Sequence, residues 1–207
     1  MKCVVQERRV EGKGKIVKED ESMENIKQTS LLERTGVFDE ETKRRFELTL
    51  VYKGIKGKKI LVIGMNPASS NIQVFDNTTN YLLNNLGMMG YSEITIWNLF
   101  ADICTKLKPS DVKDNKENME HLKELLKRKN DTILIGYGNT FQGNRRVNEV
   151  KAQLHVLLKP YEKIIYELED EKGEYSKLKT IHPLFAGQRF SGEWKMRKYN
   201  FPKTKNK

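Results

Sequence analysis

Three polar side chains that could take part in ligand chemistry each follow, or lie within, a run of apolar residues. Asn66 stands before Pro67, Asn98 lies inside the run Ile94–Phe100, and His182 precedes a second proline. An amide offers both a hydrogen-bond donor and an acceptor, and an imidazole can donate, accept or carry a proton. Side chains of these types can therefore read the polar edge of a ligand.

Each of these residues also has a purely structural explanation. Asn-Pro is a common turn, the Asn98 amide can be satisfied by local backbone, and a single histidine is more often structural than functional. His121 and His155 lie in helical patterns, so we interpret them as surface or packing residues, whereas His182 follows a predicted strand. A plain turn likewise explains residues 136–139.

The elements that must position these side chains alternate between strands and helices. Apolar runs predict strands at 46–52, 60–65, 94–100, 132–138, 164–166 and 177–181. Helical periodicity predicts helices at 77–87, 116–128 and 147–158. This order is typical of a three-layer α/β/α sandwich with a central, mainly parallel sheet of about four to five strands. Ligands bind such sheets beyond the carboxyl ends of the strands, where we expect the three polar side chains to meet.

Length and charge indicate one domain with a basic C-terminal segment. The 207 residues suit an α/β domain at 46–201, a polar N-terminal extension at 1–45 packed on or flanking it, and a basic tail at 202–207. The net charge is +10, and Gln188–Lys207 holds seven basic residues against the single acid Glu193. Such a patch attracts nucleic acid through counterion release, although a solubilising tail is the simpler explanation for the last three lysines.

Composition excludes several classes of protein. No run approaches the roughly 18 uncharged apolar residues of a membrane-spanning helix, and the N-terminal residues lack the apolar centre of a signal peptide. Cys3 and Cys104 have no metal-type spacing, and we expect both thiols to be free. We therefore predict a cytoplasmic monomer that needs no metal or cofactor and contacts no membrane.

Four short motifs, in order along the chain, resemble those of the uracil-DNA glycosylase superfamily. Gly64–Pro67 resembles its first motif, in the form with Asn before the proline, and His182–Pro183 resembles its second. Ile96–Asn98 resembles the strand whose Asn reads a base edge, and Leu134–Asn139 resembles the strand that ends in a Trp-Gly turn. A closer resemblance is to domain-of-unknown-function family 1643, an uncharacterised branch of the same fold, at Arg45–Pro67, Asp76–Thr78, Asn98–Ala101 and His182–Leu184.

The resemblance implies an enzyme that hydrolyses the N-glycosidic bond of a base flipped out of DNA. His182 would donate a hydrogen bond to the departing base, and Asn98 would hold its Watson–Crick edge. Phe75 or Tyr137 would form an aromatic floor beneath the base. Leu184 or Phe185 would insert into the base stack as a wedge. The side chains that would contact the flanking phosphates are Ser69, Arg189, Lys195, Arg197 and Lys198.

Two residues compete for the role of activating water. Efficient members of the superfamily have a carboxylate where this chain has Asn66, and an amide can orient a water but cannot accept its proton. Asp76 could supply the carboxylate instead, although it also suits the N-cap of the predicted helix at 77–87. Ser69 either caps this region or contacts phosphate, and the sequence leaves both choices open.

Two other functions fit the same sequence. One is a nucleic-acid-binding module of the same fold without catalysis. The other is an enzyme acting on a free nucleotide or nucleoside, for which the basic C-terminal residues would be unnecessary. The target base is also open: a damaged, mismatched or modified base is compatible, in double-stranded DNA with base flipping or in a single strand, for DNA repair or for defence against phage.

Overall fold

The computed structural model describes residues 26–108 and 115–202 and shows a mixed α/β fold with one sheet. The strands are β1 Leu31–Phe38, β2 Arg45–Lys53, β3 Lys58–Gly64, β4 Tyr91–Asn98, β5 Thr132–Ile135, β6 Ile165–Asp170 and β7 Trp194–Lys198. The helices are α1 Asn77–Met88, α2 Lys116–Lys127, α3 Arg145–Leu158 and α4 Pro183–Arg189, with a 3-10 segment at Lys159–Ile164. None of the helices in the described ranges is long and apolar enough to cross a membrane.

The sheet is mixed rather than mainly parallel, and it has seven strands in the order β1-β2-β4-β3-β5-β6-β7. The four central strands, β4, β3, β5 and β6, run parallel. The outer pairings β1–β2, β2–β4 and β6–β7 are antiparallel. The predicted parallel sheet of four to five strands therefore matches only the centre, because antiparallel neighbours such as β1 and β2 can be added through a short turn without a crossover helix.

Two apolar clusters account for the continuous hydrophobic run of β3. Leu61 and Ile63 pack in one cluster with buried residues of α2 and α3. Ile60 and Val62 pack in a second cluster with buried residues of α1 and α4. Successive strand residues point to opposite faces of the sheet, so the two clusters together bury both faces of β3. Its sequence is therefore continuously apolar and does not alternate with polar residues.

The segment Lys177–Ile181, predicted as a strand, is a loop. Its Thr180 has a φ of 49°, which breaks the extended conformation. The Leu178 N–H donates to the Tyr175 carbonyl at 2.9 Å, so the segment satisfies part of its backbone locally. The alternation of apolar and polar residues in this segment therefore predicts a strand that the structure does not contain.

Both ends of the sheet contain strands that the sequence pattern did not predict. β1 lies within the range predicted as an N-terminal extension, and β7 lies within the basic C-terminal segment. Each has only one neighbouring strand, and neither contains a run of consecutive buried residues, so neither shows a long apolar run. Residues 1–25 and 203–207, which include Cys3 and the last three lysines, lie outside the described residues.

A buried carboxylate fastens β2 to the end of α2. Glu47 is 5% exposed; it accepts hydrogen bonds from Arg128 at 2.6 and 3.0 Å and pairs with His121 at 3.0 Å. Burial by itself would raise the pKa of Glu47, but hydrogen bonds from His121, Arg128 and Thr49 outweigh it and lower the pKa to about 2. His121 thus has the packing role that its helical position indicates.

We expect Glu47→Gln to lower the free energy of unfolding by about 2 kcal/mol near neutral pH, because it removes the charge shared with Arg128. The folded pKa lies below the ordinary 4.5, so this stabilisation is complete above about pH 4.5 and is lost as the pH falls towards 2. Urea denaturation near pH 7 and near pH 3 measures both effects. The exposed control Glu41→Gln should change stability by less than about 0.5 kcal/mol, and a Glu47→Gln deficit of the same size at both pH values would contradict the assignment.

Candidate functional site

The carboxyl ends of β3, β4 and β5 lie at one edge of the sheet because these strands are parallel. Gly64 at the end of β3 is paired with Asn98 at the end of β4. Gly136, which follows β5, donates its N–H to the Ile63 carbonyl at 2.9 Å. Asn66 follows β3 by two residues, so it belongs to the same edge.

The turn after β5 contains two glycines, which leave room for His182 and Pro183 at this edge of the sheet. Gly138 has a φ of +75°, and a Cβ placed on it would lie 3.1 Å from the His182 Cβ. A Cβ on Gly136 would lie 3.2 Å from Cδ of Pro183. The structure therefore brings Asn66, Asn98 and His182 to one edge of the sheet, although His182 is carried there by a loop and not, as predicted, by the end of a strand.

A buried carboxylate holds the loop that carries His182. Glu167 on β6 is 1% exposed and accepts hydrogen bonds from the Thr180 N–H at 2.7 Å and from Arg197 Nε at 2.9 Å. The Thr180 carbonyl in turn accepts a hydrogen bond from the Gly138 N–H at 2.8 Å. These contacts fix the backbone two residues before His182, in the left-handed conformation of Thr180.

His182 is presented as a neutral hydrogen-bond donor. It is the N-cap of α4, and its Nδ1 accepts a hydrogen bond from the Leu184 N–H at 3.1 Å, which places the ring proton on Nε2. Burial lowers the pKa of His182, while the negative charge of Asp76 acts in the opposite direction. Near neutral pH the ring is therefore uncharged, with an Nε2–H that no described residue accepts.

Asp76 has a structural and an electrostatic part in the site. Its Oδ1 accepts a hydrogen bond from the Thr79 N–H at 2.7 Å, which is the N-cap of α1 that the sequence allows. Its charge also acts on the pKa of His182 and on that of Arg45. A carboxylate therefore lies near the neutral imidazole at the same edge of the sheet.

The two candidate amides are held in different ways. Asn66 Nδ2 donates to the Cys104 carbonyl at 2.7 Å and to the Pro67 carbonyl at 3.1 Å, so its donor is engaged by the backbone. Asn98 is 4% exposed, and its Nδ2 has no hydrogen-bond partner. Leaving a buried N–H unpaired costs about 1–3 kcal/mol, so this donor is a candidate for a ligand contact.

Sequence analysis missed Arg45, a buried arginine beside this group. It is 6% exposed, and its Nη1 donates to the Ser69 carbonyl at 3.3 Å, while its Nε has no partner. Burial lowers the pKa of Arg45 to about 10, and Asp76 opposes that shift while Arg34 adds to it. An arginine at the first position of a strand gives no sequence signal of such burial.

Arg197, predicted to grip DNA, is instead part of the fold. Besides its bond to Glu167, its Nη1 donates to the Ser176 carbonyl at 2.6 Å and its Nη2 donates to the Leu178 carbonyl. The guanidinium therefore ties β7 to β6 and to the loop before His182. The sequence did not indicate this structural role, because the carboxylate partner of Arg197 is distant in sequence and only sheet pairing brings it close.

The predicted lysine contacts on β7 also have partners within the protein. β7 runs antiparallel to β6, so Lys198 lies opposite Tyr166, near the start of β6 and away from the site edge. Its Nζ donates to the Lys163 carbonyl and lies 4.0 Å from the centre of the Tyr166 ring. Lys195 forms an ion pair with Glu171 at 3.1 Å.

Phe75 and Tyr137, the side chains predicted to form the aromatic floor, each have a cation over one face of the ring. Phe75 is exposed, but the Arg34 guanidinium carbon lies 3.9 Å from its ring centre. Tyr137 is buried, and Lys151 Nζ lies 4.6 Å from its ring centre. A cation therefore covers one face of each ring, and a base could stack only on the opposite face of Phe75.

α4 places the predicted wedge residues next to His182. Phe185 and His182 line a cleft of about 440 Å³, and Phe185 packs edge-on against Tyr175 with ring centres 5.2 Å apart. Leu184 is half-buried, and Arg189 is exposed at the end of the helix.

Ser69 has a defined role in the loop between β3 and α1. Its Oγ accepts a hydrogen bond from the Asn71 N–H at 3.0 Å, and its carbonyl accepts from Arg45 at 3.3 Å. The capping alternative that the sequence left open is therefore present in the structure. The Oγ atom keeps its own proton for a further acceptor.

Gly64 is required by the close approach of β3 and the Asn98 side chain, because an added Cβ would overlap Asn98 Oδ1. We expect Gly64→Ala to lower the free energy of unfolding by about 1–3 kcal/mol, the usual range for overpacking. Gly143→Ala is the control, since nothing lies within 4 Å of a Cβ there. Equal denaturation midpoints for the two variants would show that Asn98 does not hold this position.

Comparison with known proteins places the site within one family. The model of the family described as "Protein of unknown function (DUF1643)" matches residues 45–184. The matched segment begins at Arg45 and includes Asn66, Asp76, Asn98 and His182. Comparisons with curated proteins and with solved structures give no match. Because the family model covers most of its length, the chain belongs to the DUF1643 family.

Proposed function

We propose that this protein hydrolyses the N-glycosidic bond of a base flipped out of DNA, on a uracil-DNA glycosylase-like fold. The observation that carries the proposal is His182: a neutral imidazole with its proton directed to Nε2 and with a carboxylate nearby. The packing of helices against both faces of β3 supports the corresponding three-layer arrangement.

The reaction separates charge, and the site holds a suitable group for each part. Cleavage moves the bonding electron pair onto the base and leaves a cation-like sugar. A neutral N–H donor at His182 would stabilise the departing anion without giving up its proton. The Asp76 carboxylate would stabilise the sugar and accept a proton from the attacking water.

The two amides would position the reactants. Asn98 Nδ2, buried and without a partner, would donate to an acceptor on the base edge, which would satisfy an N–H that the protein leaves unpaired. Asn66 has its Nδ2 engaged by the Cys104 carbonyl, so its Oδ1 would accept a hydrogen bond from water. In this proposal Asn66 orients the water and Asp76 activates it.

A free nucleotide or nucleoside is the second candidate substrate. Arg197 and Lys198 bind within the protein, so two of the side chains expected to grip DNA serve the fold instead. An enzyme for a small substrate needs no extended grip. The same cleavage chemistry would apply to either substrate.

Release of free base tests the proposal. The wild-type chain would be incubated with DNA containing uracil, mismatches or oxidised bases, with phage DNA carrying modified bases, and with free nucleotides, and the products analysed by mass spectrometry. We expect a base to appear from at least one DNA and to be lost in His182→Ala, assayed at a temperature at which that variant is still folded. Release only from free nucleotides would support the second candidate, and no release from any of them would refute both.

A further inference from the structure

A second cleft, which the proposed reaction does not use, lies between α3 and the turn after β5. Its volume is about 440 Å³, and its lining includes Tyr137, Asn139, Lys151, His155, Lys179 and Tyr199. It adjoins the His182 cleft through the shared residue Asn139. We call it the α3 cleft.

The α3 cleft is cationic and has no carboxylate among its lining residues. By contrast, the groove between α2 and α3 is lined by Glu120 and Glu149 as well as by basic residues. A cleft that carries two ammonium groups without acidic neighbours at its surface favours an anionic ligand.

Lys151 is the unusual group in this cleft. It is half-buried, and no described carboxylate lies within ion-pair distance of its Nζ; its nearby partner is the ring of Tyr137. Arg145 on the same helix pairs with Glu149 at 2.9 Å. Burial lowers the pKa of Lys151, and no carboxylate opposes this shift.

Lys179 adds a second positive charge that the protein only partly neutralises. Its Nζ lies 3.5 Å from Glu167 Oε1, but the same oxygen is bound more closely by Arg197 at 2.9 Å. Glu167 is buried, whereas the Lys179 side chain is 58% exposed. Lys179 is therefore available to an anion that enters the cleft.

The floor of the cleft consists of hydrogen-bonded, uncharged side chains. Tyr199 Oη lies 2.9 Å from His155 Nε2, and Tyr137 Oη lies 3.4 Å from both. Burial lowers the pKa of His155, and Lys151 lowers it further, so the ring is neutral near pH 7. A pre-formed neutral floor leaves the two lysines as the charged groups that a ligand would meet.

We propose that the α3 cleft binds a phosphate ester, held by Lys151 and Lys179, carried either by a free nucleotide or by a nucleic-acid strand. Lysine binds phosphate as a point charge, so two lysines can neutralise the double charge of a nucleotide's phosphate monoester or contact the singly charged phosphodiesters of a strand. The volume exceeds that of phosphate alone and leaves room for the attached group. The α3 cleft contains neither His182 nor Asp76, so phosphate binding there can be tested independently of the proposed glycosylase reaction.

Lys151→Gln tests this site in the full chain, with Lys127→Gln as the matched control. Lys127 also loses one charge, but it is exposed on α2 and paired with Glu124 at 2.6 Å. The probes are deoxythymidine monophosphate, followed by calorimetry, and a short fluorescein-labelled single-stranded oligonucleotide, followed by anisotropy. We expect Lys151→Gln to weaken binding of one probe about tenfold or more and Lys127→Gln to weaken it less than about twofold.

The two probes separate the sources of the phosphate. Weakened binding of the monophosphate assigns the cleft to a free nucleotide. Weakened binding of the oligonucleotide alone assigns it to a nucleic-acid backbone and should reduce the slope of log K against log salt by about one. Lys179→Gln should weaken the same probe and replaces Lys151→Gln if that variant does not fold. Equal affinity in the lysine variants and the control, or no binding of either probe by the wild type, overturns the proposal.

Discussion

Asp76→Asn is expected to slow base excision by about two to four orders of magnitude, the usual contribution of a general base. Asparagine is as good an N-cap as aspartate, so the hydrogen bond to the Thr79 N–H and the stability of α1 should be kept. The substitution therefore removes the charge of Asp76 without removing its capping role. Single-turnover rates on a substrate DNA, with thermal unfolding as the control, measure the effect.

Asn66→Asp separates the two candidates for water activation. If Asn66 were the residue that matters, a carboxylate at that position would keep or raise activity. The structure favours the opposite result, because an aspartate at 66 would lose the donor to Cys104 and face its carbonyl oxygen. We expect Asn66→Asp to be slower than the wild type and not to rescue Asp76→Asn. Asn66→Ala should also slow the chemical step, since the water would lose its orientation.

His182→Ala is expected to slow excision by about two to three orders of magnitude, the scale known for the loss of one oxyanion donor. The loss should appear in the rate of the chemical step rather than in DNA affinity, because the donor acts on charge that develops only in the transition state. His182 also caps α4, so His182→Asn, which retains a capping side chain, serves as the control for folding.

Two outcomes would remove the chemistry assigned to this edge of the sheet. One is full activity in His182→Ala, Asp76→Asn, Asn66→Ala and Asn66→Asp together. The other is a loss in His182→Ala that follows the melting temperature of each variant instead of the presence of the imidazole. Either result would mean that Asp76 and His182 act only as the N-caps of α1 and α4.

The buried centre of the fold could be predicted from the sequence alone. The apolar runs of β3, β4 and β5 are predictable because strands buried on both faces carry no polar alternation. The amphipathic helices α1, α2 and α3 follow from their periodicity. Once these strands are taken as parallel, Asn66 and Asn98 must reach the same edge. His182 reaches it on a loop that the sequence pattern predicts as a strand, so its position did not follow from the parallel topology.

Tertiary structure decided the outer strands and the partners of the charged side chains. β1 and β7 each pair with a single neighbouring strand and contain no run of buried residues, so their sequences resemble loops. Arg197 meets Glu167 only because β7 returns antiparallel to β6, and Lys151 lacks a carboxylate only because the fold places none beside it. Hydrophobic periodicity is a local property of the chain, whereas the ion pair between Arg197 and Glu167 and the burial of Arg45 depend on residues that are distant in sequence.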